Sequence, residues 1–195
     1  NNKGIEMKTR IGVDVDGVIR DFSTGVYDVI NKYYPDYIKD GINSRQEMTD
    51  WDLENSFNAS REEIHRIYRE EHAESILSNG LPITENVDYL REQIKEDKHT
   101  FIAVTSQHPI CCHHTLSWLG KHELGFSSVV FKKGRRKWEV EIDYLIDDSP
   151  NNHEAWVAGR QMEDGFILMD QPWNQKVESN YRVNNIKEAM ELINE

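Results

Sequence analysis

Five short apolar runs recur along the chain, and each one ends in polar or charged residues. They are RIGVDVDG, TFIAVTS, SSVVFKK, DYLIDDS and GFILMDQ. Helical stretches such as ENVDYLREQIKED and HHTLSWLGKHEL lie between most of these runs. Because strands that alternate with helices form parallel sheets covered by helices, the sequence predicts an α/β fold built on a parallel sheet.

The residues that end these runs are candidates for a functional site, because ligands of such sheets bind beyond the carboxyl ends of the strands. They are polar or charged, although every run before them is apolar: Asp14, Asp16, Thr105, Lys132, Asp147 and Asp148. A catalytic rim on an apolar sheet has this pattern. The sequence therefore predicts a site at the carboxyl edge of the sheet.

The segment between the first and second runs, residues 20–81, has helical spacing, many Tyr and Trp residues and no convincing strand. Ser60 followed by Glu63 is a capping-box start for a helix in this segment. Pro82 after Gly80 marks the return of the chain to the core. The predicted domains are a discontinuous core of residues 1–19 and 82–195 and a small helical cap of residues 20–81.

Composition limits the classes of partner. The 195 residues include 23 Lys and Arg against 35 Asp and Glu, a formal net charge of -12, which argues against a nucleic-acid polymer as partner. A small phosphorylated substrate remains compatible, because local cations and a metal can outweigh the average field in one cleft. No apolar run approaches the ~20 residues of a membrane span, so we expect a cytoplasmic protein without a membrane partner. NNKGIE, ahead of Met7, is interpreted as left over from expression.

The DVDGV sequence offers groups that phosphoryl transfer to a carboxylate requires. Such a reaction needs an ionised nucleophile, a divalent cation that offsets the phosphate charge, and an acid that protonates the leaving oxygen. At an extended strand end Asp14 and Asp16 would project on the same side, and Gly17 would let the chain turn close to a ligand. An acidic turn after a strand has the same pattern, so the interpretation depends on the downstream motifs.

Four motifs together resemble those of the haloacid dehalogenase (HAD) superfamily: DVDGV, the Thr in AVTSQ, a downstream Lys and the acidic pair in YLIDDS. The resemblance covers nearly the whole chain. It implies a Rossmann-like, three-layer α/β/α core with a cap inserted after the first strand, and phosphatase activity. By this similarity Asp14 would attack phosphorus, Asp16 would act as general acid and then as base on water, and Thr105 would hold a phosphate oxygen.

The stretch FKKGRRKWE offers several cations for the third motif. Lys137 is favoured because it lies 11 residues before Asp148 (148 − 137), a spacing similar to that in deoxyribonucleotidases of this superfamily, and Lys132 is the alternative. The expected cofactor is Mg²⁺, which prefers oxygen ligands. Its implied ligands are Asp14, the backbone carbonyl of Asp16, and Asp148. Asp147 would orient this shell, although the two adjacent acids could exchange roles.

Five features resemble the 5′(3′)-deoxyribonucleotidases of the cytosolic type C nucleotidase group: DVDGVIRDF, an early helical cap, TDWDL, VTS, and LIDDSP followed by DQPWN. A nucleoside monophosphate is therefore the expected substrate, with another small phosphomonoester such as a sugar phosphate as the alternative. A non-catalytic binding protein of the same fold is a further alternative. Aromatic faces stack on bases, so Phe22 and Trp51 are candidates for base contact, or else pack cap against core. Thr105, Ser106 and Lys137 complete the predicted substrate contacts.

One departure from the family pattern lies in TSQHPICCHH, where Gln107 and His108 stand between Thr-Ser and Pro109. The loop over the phosphate is expected to differ in shape, which bears on substrate preference, and His108 is a candidate for substrate contact. A zinc site in the Cys-Cys-His-His stretch is disfavoured, because a helix that starts at Pro109 would spread these ligands around one turn. Base preference, phosphate position and oligomeric state, including a homodimer, are left open.

Overall fold

A parallel six-stranded sheet with the order β3-β2-β1-β4-β5-β6 forms the centre of the protein. The computed structural model describes residues 7–195, so NNKGIE lies outside the described residues. The strands are β1 Arg10–Val13, β2 Thr100–Thr105, β3 Ser128–Phe131, β4 Tyr144–Asp147, β5 Phe166–Met169 and β6 Arg182–Val183. All neighbours pair in parallel, which confirms the predicted parallel sheet.

Each of the five apolar runs contains one of the strands β1 to β5. β6 was not predicted, because its two residues, Arg182 and Val183, are too few to form a recognisable run. β6 adds to the edge of the sheet beside β5, where Leu168 pairs with Arg182 and Met169 with Val183.

Helices cover both faces of the sheet. They are α1 Phe22–Tyr33, α2 Arg61–Arg66, α3 Thr84–Glu96, α4 Cys112–Lys121, α5 Pro150–Arg160 and α6 Ile186–Asn194. On β2, Phe101 and Ala103 pack in one buried cluster with residues of α3, α4 and α6. Ile102 and Val104 point the other way and pack with Trp156 of α5. Because side chains alternate along a strand, an apolar run buried on both faces produces these three layers.

Residues 20–81 form α1, α2 and short turns of helix, with no strand among the named elements of this segment. The predicted capping box is confirmed: the Ser60 hydroxyl accepts from the Glu63 amide, and the Glu63 carboxylate accepts from the Ser60 amide. The helix that begins after Ser60 is α-helical only as far as Arg66. After Arg66 it widens into two π-helical segments, Ile67–Glu71 and Glu74–Ser78, a distortion that often accompanies functional sites.

A third apolar cluster belongs almost entirely to this inserted segment. Its buried members include Val26 and Ile30 of α1, Phe57 and Ile76, and Cys111 joins them from outside the segment. The predicted division into core and cap stays a prediction, and these contacts are compatible with it. Within residues 7–195, no helix combines the length and the apolar character needed to cross a membrane.

Candidate active site

The loop after β1 approaches the loop after β4 very closely. The Asp14 amide donates to the carbonyl oxygen of Ile146 at 2.9 Å, which extends the sheet pairing by one residue. Gly17 then adopts a left-handed backbone, with φ 79°. A Cβ atom at Gly17 would lie 2.1 Å from Oδ2 of Asp148. Only glycine therefore allows the two acidic loops to meet here.

Three buried carboxylates and one buried ammonium converge where these loops meet. We call this group the acidic centre: Asp14, Lys137, Asp147 and Asp148. Oxygen atoms of the three aspartates lie within 4.8 Å of one another. Nζ of Lys137 lies 2.9 Å from Oδ2 of Asp14 and 2.6 Å from Oδ2 of Asp147. Three carboxylates thus share a single full positive charge.

The electrostatics of the acidic centre follow from this excess of negative charge. Burial raises the pKa of Asp14 to about 7; Lys137 opposes the rise and Asp147 adds to it. Burial, together with the charges of Asp147 and Asp14, raises the pKa of Asp148 well above its usual range. Burial alone would lower the pKa of Lys137, but Asp14 and Asp147 outweigh it and raise that pKa. An added cation would stabilise all three carboxylates in their ionised form.

The hydrogen bonds of the two adjacent acids indicate which one fits a metal. Asp147 accepts from Lys137, from the Ser149 amide at 2.8 Å and from Nδ2 of Asn152 at 3.0 Å. Asp148 accepts from Nε1 of Trp173 at 3.0 Å through Oδ2, whereas its buried Oδ1 has no hydrogen-bond partner among the described residues. An unpartnered carboxylate oxygen beside two other carboxylates fits Mg²⁺, which prefers hard oxygen donors.

Asp16 lies beyond the end of β1 and outside the acidic centre. Its Oδ1 accepts from Nε of Arg20 at 2.7 Å, and its Oδ2 accepts from Nη2 of Arg20 at 3.0 Å and from Nε2 of Gln107 at 2.8 Å. Both Asp14 and Asp16 line the same cavity. The predicted nucleophile and the predicted acid therefore face one ligand space.

The two candidate lysines, Lys137 and Lys132, lie in different places, and the hydroxyl residues Thr105 and Ser106 lie at the end of β2. Lys137 begins a 3₁₀ helix, Lys137–Glu139, and contacts Asp14, whereas Nζ of Lys132 pairs with Oε2 of Glu139 at 2.8 Å. Thr105 ends β2 and is buried at the cavity, and Oγ of Ser106 donates to the Lys132 carbonyl at 2.7 Å. Of the two candidate lysines, Lys137 is the one that reaches the acidic centre.

A cavity of about 370 Å³ connects the acidic centre with aromatic side chains of the inserted segment, a size typical of small-molecule sites. We call the far part the aromatic end, defined by Phe22, Trp51 and Tyr68. The rings of Phe22 and Tyr68 meet edge to face, with centroids 5.3 Å apart. Trp51 is 38% exposed, while Phe22 also packs on the apolar cluster of the inserted segment. Phe22 therefore both lines the cavity and packs against the apolar cluster of the inserted segment, so the two roles considered for it are compatible.

Most of the residues that the sequence singled out line this cavity: Asp14, Asp16, Phe22, Trp51, Thr105, Ser106, His108, Lys137 and Asp148. Lys132 and Asp147 are not among the described residues that line it. Sequence reasoning missed the contacts of Arg20 with Asp16, of Asn152 with Asp147 and of Trp173 with Asp148. The segment DQPWN was recognised as a family feature, but nothing in it indicates which side chain Trp173 would contact.

Solved structures with the same fold cover nearly the whole chain. CbbY from Rhodobacter sphaeroides in complex with phosphate has a TM-score of 0.58 at 14% identity, over 92% of this chain and 95% of that chain. A structure assigned as HAD-hydrolase YfnB from Bacillus subtilis, bound to magnesium, has a TM-score of 0.58 at 15% identity, over 97% and 100%. One assigned as a beta-phosphoglucomutase from Thermotoga maritima has a TM-score of 0.58 at 14% identity, over 95% and 98%.

These likenesses show the fold, and the three-layer architecture is that of the HAD superfamily, as the motifs predicted. This fold, together with the family match over residues 8–195, defines the class of protein as a HAD-type phosphatase. The model of the family described as 5′ nucleotidase, deoxy (Pyrimidine), cytosolic type C protein matches residues 8–195, and the chain belongs to that family. No curated protein matches the sequence.

Proposed function

We propose that this phosphatase hydrolyses nucleoside monophosphates with the help of Mg²⁺ and through an aspartyl-phosphate at Asp14. The observation that carries the proposal is the placement of the Asp14 carboxylate, which lies buried at the cavity, 2.9 Å from Nζ of Lys137 and beside the acidic pair. Lys137 supplies a fixed positive charge for both the nucleophile and the phosphate. A carboxylate held in this way can attack phosphorus while the charge that develops is offset.

The reaction would proceed in two balanced steps. In the first, an oxygen of Asp14 bonds to phosphorus, the ester P–O bond breaks, and the leaving oxygen takes a proton from Asp16. In the second, Asp16, now a carboxylate, takes a proton from water while the water oxygen bonds to phosphorus. The bond between phosphorus and Asp14 breaks, which frees phosphate and restores both aspartates. Thr105 and Ser106 lie at the cavity to contact phosphate oxygens.

Mg²⁺ would be held by the carboxylates of Asp14 and Asp148 and by the backbone carbonyl of Asp16. When bound, it neutralises charge on the phosphate and keeps the nucleophile ionised. Asp147 orients the site, because both of its oxygens are already occupied by Lys137, Ser149 and Asn152. The raised pKa values of Asp14 and Asp148 support this assignment, since burial beside other acids makes a cation favourable.

The aromatic end supports a nucleoside as the group attached to the phosphate. Aromatic rings hold bases by stacking, at ~1–3 kcal/mol per base. Phe22 and Trp51 line the cavity together with the acidic centre, so one ligand can reach both. We further propose that residues 20–81 act as a cap that carries this recognition, and that the enzyme is cytoplasmic, in keeping with the family description.

The decisive experiment measures phosphate release from a panel of deoxyribonucleotides, ribonucleotides and sugar phosphates, with and without Mg²⁺. We expect Mg²⁺-dependent release from nucleoside monophosphates above that from sugar phosphates. Asp14→Asn is the matched control, because it changes one carboxylate to an amide of the same shape. Release by the native protein no faster than by Asp14→Asn would overturn the enzymatic proposal, and a preference for sugar phosphates would overturn the substrate.

A further inference from the structure

We propose that Arg20 is a positioning residue that fixes the Asp16 carboxylate for proton transfer, with Gln107 as a second contact from the cavity side. The inference rests on the proposed function, in which Asp16 is the acid. It adds two residues to which the motifs assign no role.

The contact between Arg20 and Asp16 uses both ends of the carboxylate. Nε lies 2.7 Å from Oδ1, and Nη2 lies 3.0 Å from Oδ2. Two parallel bonds of this kind fix the plane of a carboxylate as well as its distance, which a single donor cannot do. Rotation of the Asp16 side chain would break both bonds at once.

The guanidinium of Arg20 is itself held from two other parts of the chain. Nη1 donates to the Leu77 carbonyl at 2.7 Å, Nη2 donates to Oγ1 of Thr115 at 3.2 Å, and the charged group lies 5.5 Å from the centre of the Trp118 ring. Arg20 is fully buried and is not among the described residues that line the cavity. Of its side-chain hydrogen-bond partners among the described residues, Asp16 is the one that lines the cavity.

Gln107 completes the arrangement from the opposite side. Its Nε2 donates to Oδ2 of Asp16 at 2.8 Å, and its side chain lines the cavity. Gln107 stands where the loop departs from the Thr-Ser-Pro pattern of the family. The loop that departs from the family pattern thus provides a second hydrogen-bond donor to Asp16. This contact is a physical role for Gln107 at that position.

Fold stability alone explains such a buried arginine poorly. Burying a guanidinium has a desolvation penalty, and apolar residues of similar volume often replace buried ion pairs without loss of stability. Proton transfer, by contrast, requires the acid to lie within hydrogen-bond reach of the leaving oxygen, and small displacements slow the reaction strongly. Precise orientation of Asp16 is the gain that the Arg20 contact offers.

The test compares two leaving groups. Protonation by Asp16 assists departure of a nucleoside alkoxide, whereas the nitrophenolate of p-nitrophenyl phosphate leaves with little assistance. Arg20→Met should lower kcat/KM for the best nucleotide roughly 10-fold to 100-fold more than kcat/KM for p-nitrophenyl phosphate, because loss of orientation removes part of the roughly 10²-fold to 10⁴-fold that acid catalysis contributes. Gln107→Leu should show the same selectivity with a smaller effect. A variant that merely unfolds in part lowers both values alike.

Arg160→Met is the matched control. Arg160 also donates three bonds within the fold, to the carbonyls of Trp138, Val140 and Ile142, and lies 3.8 Å from the centre of the Trp156 ring. It is not among the described residues that line the catalytic cavity. This variant should change the two kcat/KM values by equal factors.

Asp16→Asn separates failure of this inference from failure of the proposed function. If Asp16→Asn shows no selectivity between the leaving groups, the role of Asp16 as acid is overturned. If Asp16→Asn is selective while Arg20→Met and Gln107→Leu behave like Arg160→Met, the positioning role alone is overturned. Should Arg20→Met fail to fold, Arg20→Lys and Gln107→Leu test the positioning role instead. Lysine keeps the positive charge but cannot donate the two parallel hydrogen bonds that the guanidinium makes with Asp16.

Discussion

The acidic centre and the aromatic end share one cavity but are built in opposite ways. The acidic centre is buried and consists of charged groups held at strand ends and in the short helix that starts at Lys137. The aromatic end belongs to the inserted segment of short helices and π-helical turns, and Trp51 is partly exposed. The rigid sheet thus fixes the groups that require exact geometry, while the groups proposed to select the substrate lie on less regular chain.

The sharpest way to test this contrast is Asp14→Asn. It should lower phosphate release roughly 10³-fold or more, since loss of a nucleophile removes the covalent route. The melting temperature should not fall, because the change removes one of three carboxylates that repel one another, and Lys137 still forms its ion pair with Asp147. Thermal unfolding and phosphate release on the same preparation check both parts. A large loss of stability would mean that Asp14 serves mainly to hold the fold.

Lys137→Met should lower both the turnover rate and the stability, whereas changes at the aromatic end should act mainly on KM. Removal of one partner from a buried ion pair typically lowers the free energy of unfolding by about 3–5 kcal/mol, and here two carboxylates lose their counter-charge. Lys132→Met is the matched control, because Lys132 pairs with Glu139 and is partly exposed. Chemical denaturation and steady-state kinetics measure both variants. Native activity in Lys137→Met, together with a strong loss in Lys132→Met, would assign the third-motif role to Lys132.

Chelation should abolish turnover, and Mg²⁺ should raise the melting temperature of the metal-free protein. The reason is that a bound cation relieves repulsion among Asp14, Asp147 and Asp148, and a ligand that binds only the folded state stabilises it. Calcium should support activity poorly, because it prefers a larger and looser shell. Asp148→Asn should reduce the stabilisation by Mg²⁺. An unchanged stabilisation in that variant would contradict the assignment of Asp148 as a ligand.

Changes at the aromatic end should have the smallest effects and should act on binding. Trp51→Ala should raise KM for nucleotides roughly 5-fold to 30-fold, as expected from ~1–2 kcal/mol of stacking, with little change in kcat or stability. Phe22→Ala should do the same and also destabilise the protein, because Phe22 packs on the inserted segment. Sugar phosphates serve as the comparison substrate. An equal rise in KM for both substrate classes would argue against base stacking.

The sequence by itself determined the sheet and the positions of its acidic ends. Apolar runs such as TFIAVTS need only local chain to be recognised, and a parallel sheet brings their carboxyl ends to one edge for a general physical reason. Asp14, Thr105 and Asp148 follow from that rule. Lys137 was favoured over Lys132 only because its spacing to Asp148 resembles that in deoxyribonucleotidases, and the contact with Asp14 separates the two lysines. The start of α2 was equally predictable, because a capping box is completed within four residues.

Only the tertiary structure decided how the loops meet. The contact of Arg20 with Asp16 is local, yet Leu77, Thr115 and Gln107 come from distant segments that fix it. Trp173 reaches Asp148 across 25 residues of chain. Both oxygens of Asp147 accept hydrogen bonds, whereas Oδ1 of Asp148 has no partner in the part of the chain that the structure describes. Such contacts depend on which side chains pack together after the layers form, and no periodicity or local propensity encodes that information.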